Sequence, residues 1–168
     1  MSAALIACMA IGVLAQASPN FAGKWTREAP AAGAAAPAGG APGGAPGGGG
    51  GRGGGGGGLG MDITITQDAT SMTIEYVGGG QAPAPVKLVY KLDGSESKNM
   101  MAGRGGAPAE QVAKAMVVGS TIVVTTTTAN GDSKRVFSMD GANLKVETTA
   151  PGRDGGPGTP MAQIYKKS

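Results

Sequence analysis

Few residues of this sequence could do chemistry. The chain has no histidine and one cysteine, Cys8. A serine or threonine nucleophile needs a neighbouring base, and only lysines and carboxylates are present for that role. The 11 carboxylates are scattered along the chain, and several, such as Asp93 before Gly94, stand where an aspartate ordinarily bonds to the backbone of a turn. We therefore predict that the protein is not an enzyme; an enzyme that works with carboxylates alone is the weaker alternative.

Motifs for binding cations or nucleic acids are also not indicated. The stretches 93–96 (DGSE) and 130–132 (NGD) resemble pieces of calcium loops, but neither has the D-x-D-x-D-G-x5-E spacing that surrounds a cation with oxygens. The glycine run around Arg52 contains one arginine and no aromatic residue, whereas nucleic-acid-binding segments of this type combine many arginines with aromatic side chains. With a net charge of +3, the chain is expected to take no metal, no cofactor and no nucleic acid.

The first 17 residues resemble a signal peptide. An apolar run over residues 3–14 is followed by the sequence AQA, the small-x-small pattern of signal peptidase sites, so cleavage is expected between Ala17 and Ser18. A run of about 12 residues is too short to span a bilayer. We expect export to the periplasm or the medium, no transmembrane span in the mature protein and, once Cys8 is removed, no disulfide. The alternatives are an N-terminal core helix, a membrane anchor, or a lipoprotein acylated at Cys8.

A low-complexity tract occupies residues 29–60, where only Arg52 and Leu59 are not Gly, Ala or Pro. Such a segment has few side chains to bury and much backbone entropy to lose, so we expect it to be disordered. Residues 18–168 are then one domain that the tract interrupts. Lengthening a loop from about 5 to about 30 residues adds only roughly 1.6 kcal/mol of closure entropy, so an insert of this size between two strands is tolerable.

Apolar and polar residues alternate with period two through most of the remaining chain, which is typical of β-strands with one buried face. Threonine and β-branched residues over 121–128 also favour a strand. The composition of residues 95–111 predicts a loop. Together with the segment around Trp25, the alternation predicts about eight or nine strands, which lie at 20–26, 61–67, 71–77, 86–92, from about 112 to 118, 121–128, 133–139, 144–149 and 161–168.

Strands in simple succession, joined mainly by tight turns, form an antiparallel up-and-down meander. No amphipathic helix is predicted that could cover its apolar face, so closure into a barrel is the economical way to bury that face. In a closed meander the first strand lies beside the last. Trp25 is therefore expected to be buried, next to the C-terminal strand, with the tract inserted between the first two strands.

Gly23-Lys24-Trp25 matches the G-x-W that opens lipocalins and related calycin barrels. Together with NFAGKWT, ITITQD, VYKLDGSES and the threonine-rich strands, it gives a chain that resembles a family of small exported bacterial lipocalin-like proteins. The resemblance implies an all-β, lipocalin-like barrel, in which Arg135 would lie over Trp25 as an arginine does in lipocalins. The tract is atypical of the family, and the disulfides common in lipocalins are absent.

Five residues are predicted to face the barrel interior and to contact a ligand there: Trp25, Tyr76, Tyr90, Arg135 and Phe137. Two functions remain open. The chain could bind a small hydrophobic ligand in the barrel, or it could be a structural or interaction module of the bacterial cell envelope with a solid core and no ligand. A monomer is expected in both cases.

Overall fold

Ten β-strands run through the part of the chain that the computed structural model describes, which comprises residues 19–29, 58–78, 84–102, 108–128, 131–152, 156 and 158–168. No α-helix occurs among these residues. The strands are β1 (Gly23–Arg27), β2 (Asp62–Gln67), β3 (Ser71–Val77), β4 (Pro85–Lys91), β5 (Asp93–Ala102), β6 (Pro108–Val118), β7 (Thr121–Thr128), β8 (Gly131–Asp140), β9 (Asn143–Thr149) and β10 (Met161–Lys167). The predicted signal peptide and most of the predicted disordered insert, residues 30–57, lie outside the described residues.

The strands form because their apolar residues recur at every second position, as the sequence predicts. In β2, Ile63 and Ile65 are buried while their neighbours are partly or fully exposed. In β3, Met72 and Ile74 are buried in the same way. The two strands pair antiparallel with Ile65 opposite Ile74, so both apolar rows lie on one face of the sheet.

The predicted ring closure through the first strand is confirmed. β1 pairs with β2 on one side and with β10 on the other, both antiparallel, and Trp25 lies opposite Ile63 and Lys167. Trp25 is 3% exposed, and its Nε1 donates a hydrogen bond to the carbonyl of Phe21 at 2.9 Å. The indole is thus buried with its one polar atom satisfied.

One strand is not expected from the sequence. The segment 95–111, for which a loop is predicted, contains most of β5 and the start of β6. β5 lacks the period-two pattern because two of its inward positions are Ser97 and Asn99, so the strand has no apolar row in its middle. The prediction of eight or nine strands is therefore wrong, and the barrel has ten.

Between β4 and β5 the ring is closed by side chains and not by a ladder of backbone hydrogen bonds; this line is called the seam below. The ten strands form one sheet in the order β4-β3-β2-β1-β10-β9-β8-β7-β6-β5, so β4 and β5 are its edges. Asn99 Oδ1 accepts from the Val89 N–H at 2.7 Å, and Asn99 Nδ2 donates to the Val89 carbonyl at 3.1 Å. The Lys91 N–H donates to Ser97 Oγ at 2.9 Å. The Asn99 side-chain amide therefore satisfies the N–H and the carbonyl of Val89, as the backbone of a neighbouring strand does elsewhere in the sheet.

Replacing Asn99 tests the seam. We expect Asn99→Leu to lower the free energy of unfolding by roughly 1–3 kcal/mol, because it leaves the Val89 N–H and carbonyl without their partner. Urea denaturation measures the loss, and hydrogen exchange should show a faster Val89 amide. Met100→Leu, on the outward face of the same strand with 57% exposure, should change stability by less than about 0.5 kcal/mol. Equal stability of the two variants would contradict the bridging role of Asn99.

Candidate functional site

The two ends of the barrel are built differently. At one end, the hairpin end, β2–β3, β4–β5, β6–β7 and β8–β9 are joined by connections of at most three residues, and Gly119 and Gly141 supply the positive φ that two of these turns use. The other five connections lie at the opposite end, here called the loop end. Every internal segment outside the described residues belongs to one of those five connections.

The half of the interior near the hairpin end is filled with apolar side chains. Phe21, Met72, Ile122, Phe137 and Leu144 have no exposed surface. The rings of Phe21 and Phe137 pack with centroids 6.4 Å apart and a tilt of 38°. No room for a ligand therefore lies among these five side chains, and they serve as a solid apolar floor.

Toward the loop end the inward positions become more polar and partly exposed. Each lies two positions from a buried residue on its own strand, so it points to the same side of the wall. These residues are called the loop-end lining; they are Tyr76, Met101, Gln111, Thr126, Arg135 and Thr148. The interior thus changes from an apolar floor to a mixed, partly accessible surface.

Arg135 is the charged member of the lining. It lies opposite Val124 of β7 and Thr148 of β9. Burial raises the pKa of Tyr90, and both the charge of Arg135 and a hydrogen bond with its guanidinium act to lower it. Burial also raises the pKa of Tyr76, and it raises that of Tyr165 to about 12. The charge of Arg135 acts to lower the pKa of both tyrosines. The chain has three tyrosines, and the charge of Arg135 acts to lower the pKa of each one.

A second polar atom lies beside Arg135. The Oγ1 atom of Thr148 is buried and has no hydrogen-bond partner within the described part of the chain. Buried hydroxyl groups are normally satisfied, so an exception calls for a physical explanation. Every carboxylate in the described ranges is exposed except that of Glu147, which is half-buried. The Glu147 Oε1 atom lies 3.2 Å from Lys145 Nζ. Arg135 and Thr148 together offer N–H and O–H donors of the kind that bind an oxyanion.

Tyr165 connects the last strand to residues 58–60. Its hydroxyl is 3.4 Å from the carbonyl of Leu59, 3.2 Å from that of Gly60 and 3.1 Å from Gln163 Oε1, so three acceptors share one hydroxyl proton. Leu59 is 3% exposed and belongs to the core. The sequence places this leucine in the predicted disordered insert, whereas in the structure its side chain packs inside the barrel.

The five predicted contact residues fall into two groups. Trp25 and Phe137 belong to the filled half, whereas Tyr76 and Arg135 belong to the loop-end lining, with Tyr90 buried close to Arg135. Their roles as ligand contacts stay predictions.

The cation that the structure places over the Trp25 ring is Lys167, whose Nζ lies 5.8 Å from the ring centroid. The resemblance to lipocalins leads one to expect Arg135 at this position. Lys167 could not be chosen from the sequence, because the choice depends on the register of β1 against β10.

Two other features are absent from the described ranges. No three His, Cys, Asp or Glu side chains there gather closely enough to hold a metal ion. Nor do those ranges contain a helix with the length and apolar character that a membrane span requires.

Comparison with known proteins gives a fold and no family. No protein-family model and no curated protein matches the chain. Among solved structures, a REP1-NXSQ fatty acid transporter matches at 12% identity over 88% of this chain and 95% of its own, with a TM-score of 0.53. The wild-type fluorescent protein UnaG matches at 15% identity over 64% of this chain and 72% of its own, with a TM-score of 0.48. At 12% identity the likeness to the transporter establishes the fold alone: the chain is a nearly closed, antiparallel up-and-down β-barrel.

Tyr165 should give the alkaline unfolding of this protein a measurable signature. Its pKa is about 12 in the folded chain against an ordinary value of 10.0, so the fold favours the neutral phenol. That contribution is complete below pH 10 and is lost as the pH rises from 10 to 12. Tyr165→Phe should therefore lose less stability than the parent between pH 10 and pH 11.5, as measured by urea midpoints. Parallel stability curves for the two proteins would contradict the raised pKa.

Proposed function

We propose that this chain is an exported, non-enzymatic lipocalin-like protein that binds a small apolar ligand with an acidic head group at the loop end of its barrel. The observation that carries the proposal is the pair formed by Arg135 and the unsatisfied Thr148 hydroxyl, opposite each other on β8 and β9 above an apolar floor. The apolar part of the ligand would rest on that floor, and the head group would take the donors.

The comparison with the fatty acid transporter supports this proposal. That protein is named for an apolar molecule with a carboxylate head, and this chain shares its fold over most of its length. Arg135 and Thr148 supply the complementary chemistry from residues of this chain. Tyr90 and Tyr76 are neutral at physiological pH, because an ordinary tyrosine has a pKa of 10.0 and burial raises the pKa of both. Their hydroxyls therefore carry a proton to donate in the proposed complex.

Three single-chain probes of equal length test the head group: dodecanoate, dodecanol and dodecyltrimethylammonium. Calorimetry with the mature chain should give the tightest binding for dodecanoate. Arg135→Gln should weaken dodecanoate binding by about ten- to hundredfold, the range expected for a hydrogen bond to a charged group, and leave dodecanol unchanged. Lys134→Gln removes the same charge from an adjacent, exposed position and should have no effect. If none of the three probes binds, the binding function is wrong; if Arg135→Gln leaves dodecanoate binding intact, the head-group assignment is wrong.

One observation favours the second function, a structural or interaction module without a ligand. The filled hairpin half, with several side chains at zero exposure, is what a structural or interaction module of the cell envelope would need. Native mass spectrometry of protein purified from its own host separates the two functions. A co-purified small molecule supports binding, and a bare mass together with no probe binding supports the module.

Export is proposed from residues 1–17 alone. Mass spectrometry of the expressed protein should find a mature N-terminus at Ser18, because signal peptidase cleaves after a small-x-small sequence. An intact N-terminus at Met1, or a lipid on Cys8, would contradict it.

A further inference from the structure

Leu59 has an unusual position in both the sequence and the fold. Between residues 29 and 60 it is the one large apolar residue among glycines, alanines, prolines and one arginine. Its side chain is 3% exposed and packs with the core. The one large apolar side chain of the tract therefore lies in the barrel core.

The backbone around Leu59 crosses the inside of the barrel at the loop end. The carbonyls of Leu59 and Gly60 face the hydroxyl of Tyr165 on β10. A Cβ atom on Gly60 would lie 3.0 Å from the Val77 carbonyl and 3.1 Å from a ring carbon of Tyr76, both on β3. In the sheet, β2 and β1 lie between β3 and β10. The peptide thus runs behind those two strands, in the space that Tyr76 and Tyr165 also face.

From these contacts we propose that Leu59 is a displaceable plug that occupies the place of the ligand's apolar end and limits which ligands enter. The inference rests on the proposed binding function. Residues 58–60 belong to no strand. They are held by the buried Leu59 side chain and by the Tyr165 hydroxyl, whose single proton is shared between the carbonyls of Leu59 and Gly60 and the side chain of Gln163. From Met61 onward the chain is fixed, since the Arg27 N–H donates to the Met61 carbonyl at 2.7 Å. The peptide can therefore move without opening the barrel wall.

Displacement by a ligand would be selective for size. A ligand that removes Leu59 exposes one leucine side chain, and its own apolar end has to bury comparable surface in exchange. Ligands with an alkyl end shorter than a leucine side chain would not offset that loss. Gly60 lets the peptide lie this close to β3, because a Cβ atom there would be crowded against the Val77 carbonyl and the Tyr76 side chain.

The first test compares Leu59→Ala with Leu92→Ala, a similarly buried leucine at 7% exposure near the hairpin end. Calorimetry with dodecanoate should show about tenfold tighter binding for Leu59→Ala, since the ligand no longer displaces a leucine. Leu92→Ala should bind as the parent does. Unchanged or weaker binding by Leu59→Ala, or equal tightening in both variants, would overturn the plug.

The second test follows position 59 directly, with Leu59→Cys in a Cys8→Ser background so that one thiol is present. The thiol should react slowly with a maleimide reagent, and faster as dodecanoate saturates the protein. If dodecanoate binds while the thiol stays protected, the plug is wrong and the binding function stands. If the parent binds none of the three probes, the proposed function falls and the plug with it.

Discussion

The five residues of β1 hold the two parts of this barrel together. β2, β3 and β4 form one continuous ladder, β5 to β10 form another, and β1 is the strand that pairs with both. The remaining junction is the seam, which Asn99 and Ser97 bridge with side chains. The position of Trp25 follows from this: its ring has Ile63 on one side and Lys167 on the other because β1 has partners on both edges. Without β1 the two ladders would be joined only at the seam, and the barrel would open along the line that β1 now fills.

The interior divides its tasks along the barrel axis. Near the hairpin end, large apolar side chains such as Phe137 and Ile122 have no exposed surface, and their burial stabilises the fold. Near the loop end the same strands present Thr126, Thr148 and Arg135 inward. The threonines keep strand propensity while adding hydroxyl groups. The same strands can therefore carry both a stable core and a polar site, because the core lies toward the hairpin end and the polar site toward the loop end.

The sequence predicts the parts of the fold that depend on hydrophobic alternation. Ile63, Ile65, Met72 and Ile74 indicate their strands, and the meander argument places β1 beside β10. Features that depend on specific polar partners are missed. β5 is hidden because Ser97 and Asn99 face inward to bond with β4, and nothing local tells an inward asparagine from a loop asparagine. The alternation also identifies Arg135 as inward, but its proximity to Tyr90 and Thr148 depends on the register between strands.

The pairing of β1 with β10 also has a consequence for the order in which the barrel can fold. Most ladders join strands that are neighbours in the chain, and these can form as the chain is synthesised from its N-terminus. β1 is the exception, since Trp25 lies opposite Lys167, almost the whole length of the chain away. Such a contact forms only after the intervening chain has been ordered or looped out, which makes it slow. The ladder between the first and the last strand to be synthesised is therefore the last to form, and until β10 is complete one edge of β1, beside Trp25, lacks its partner strand.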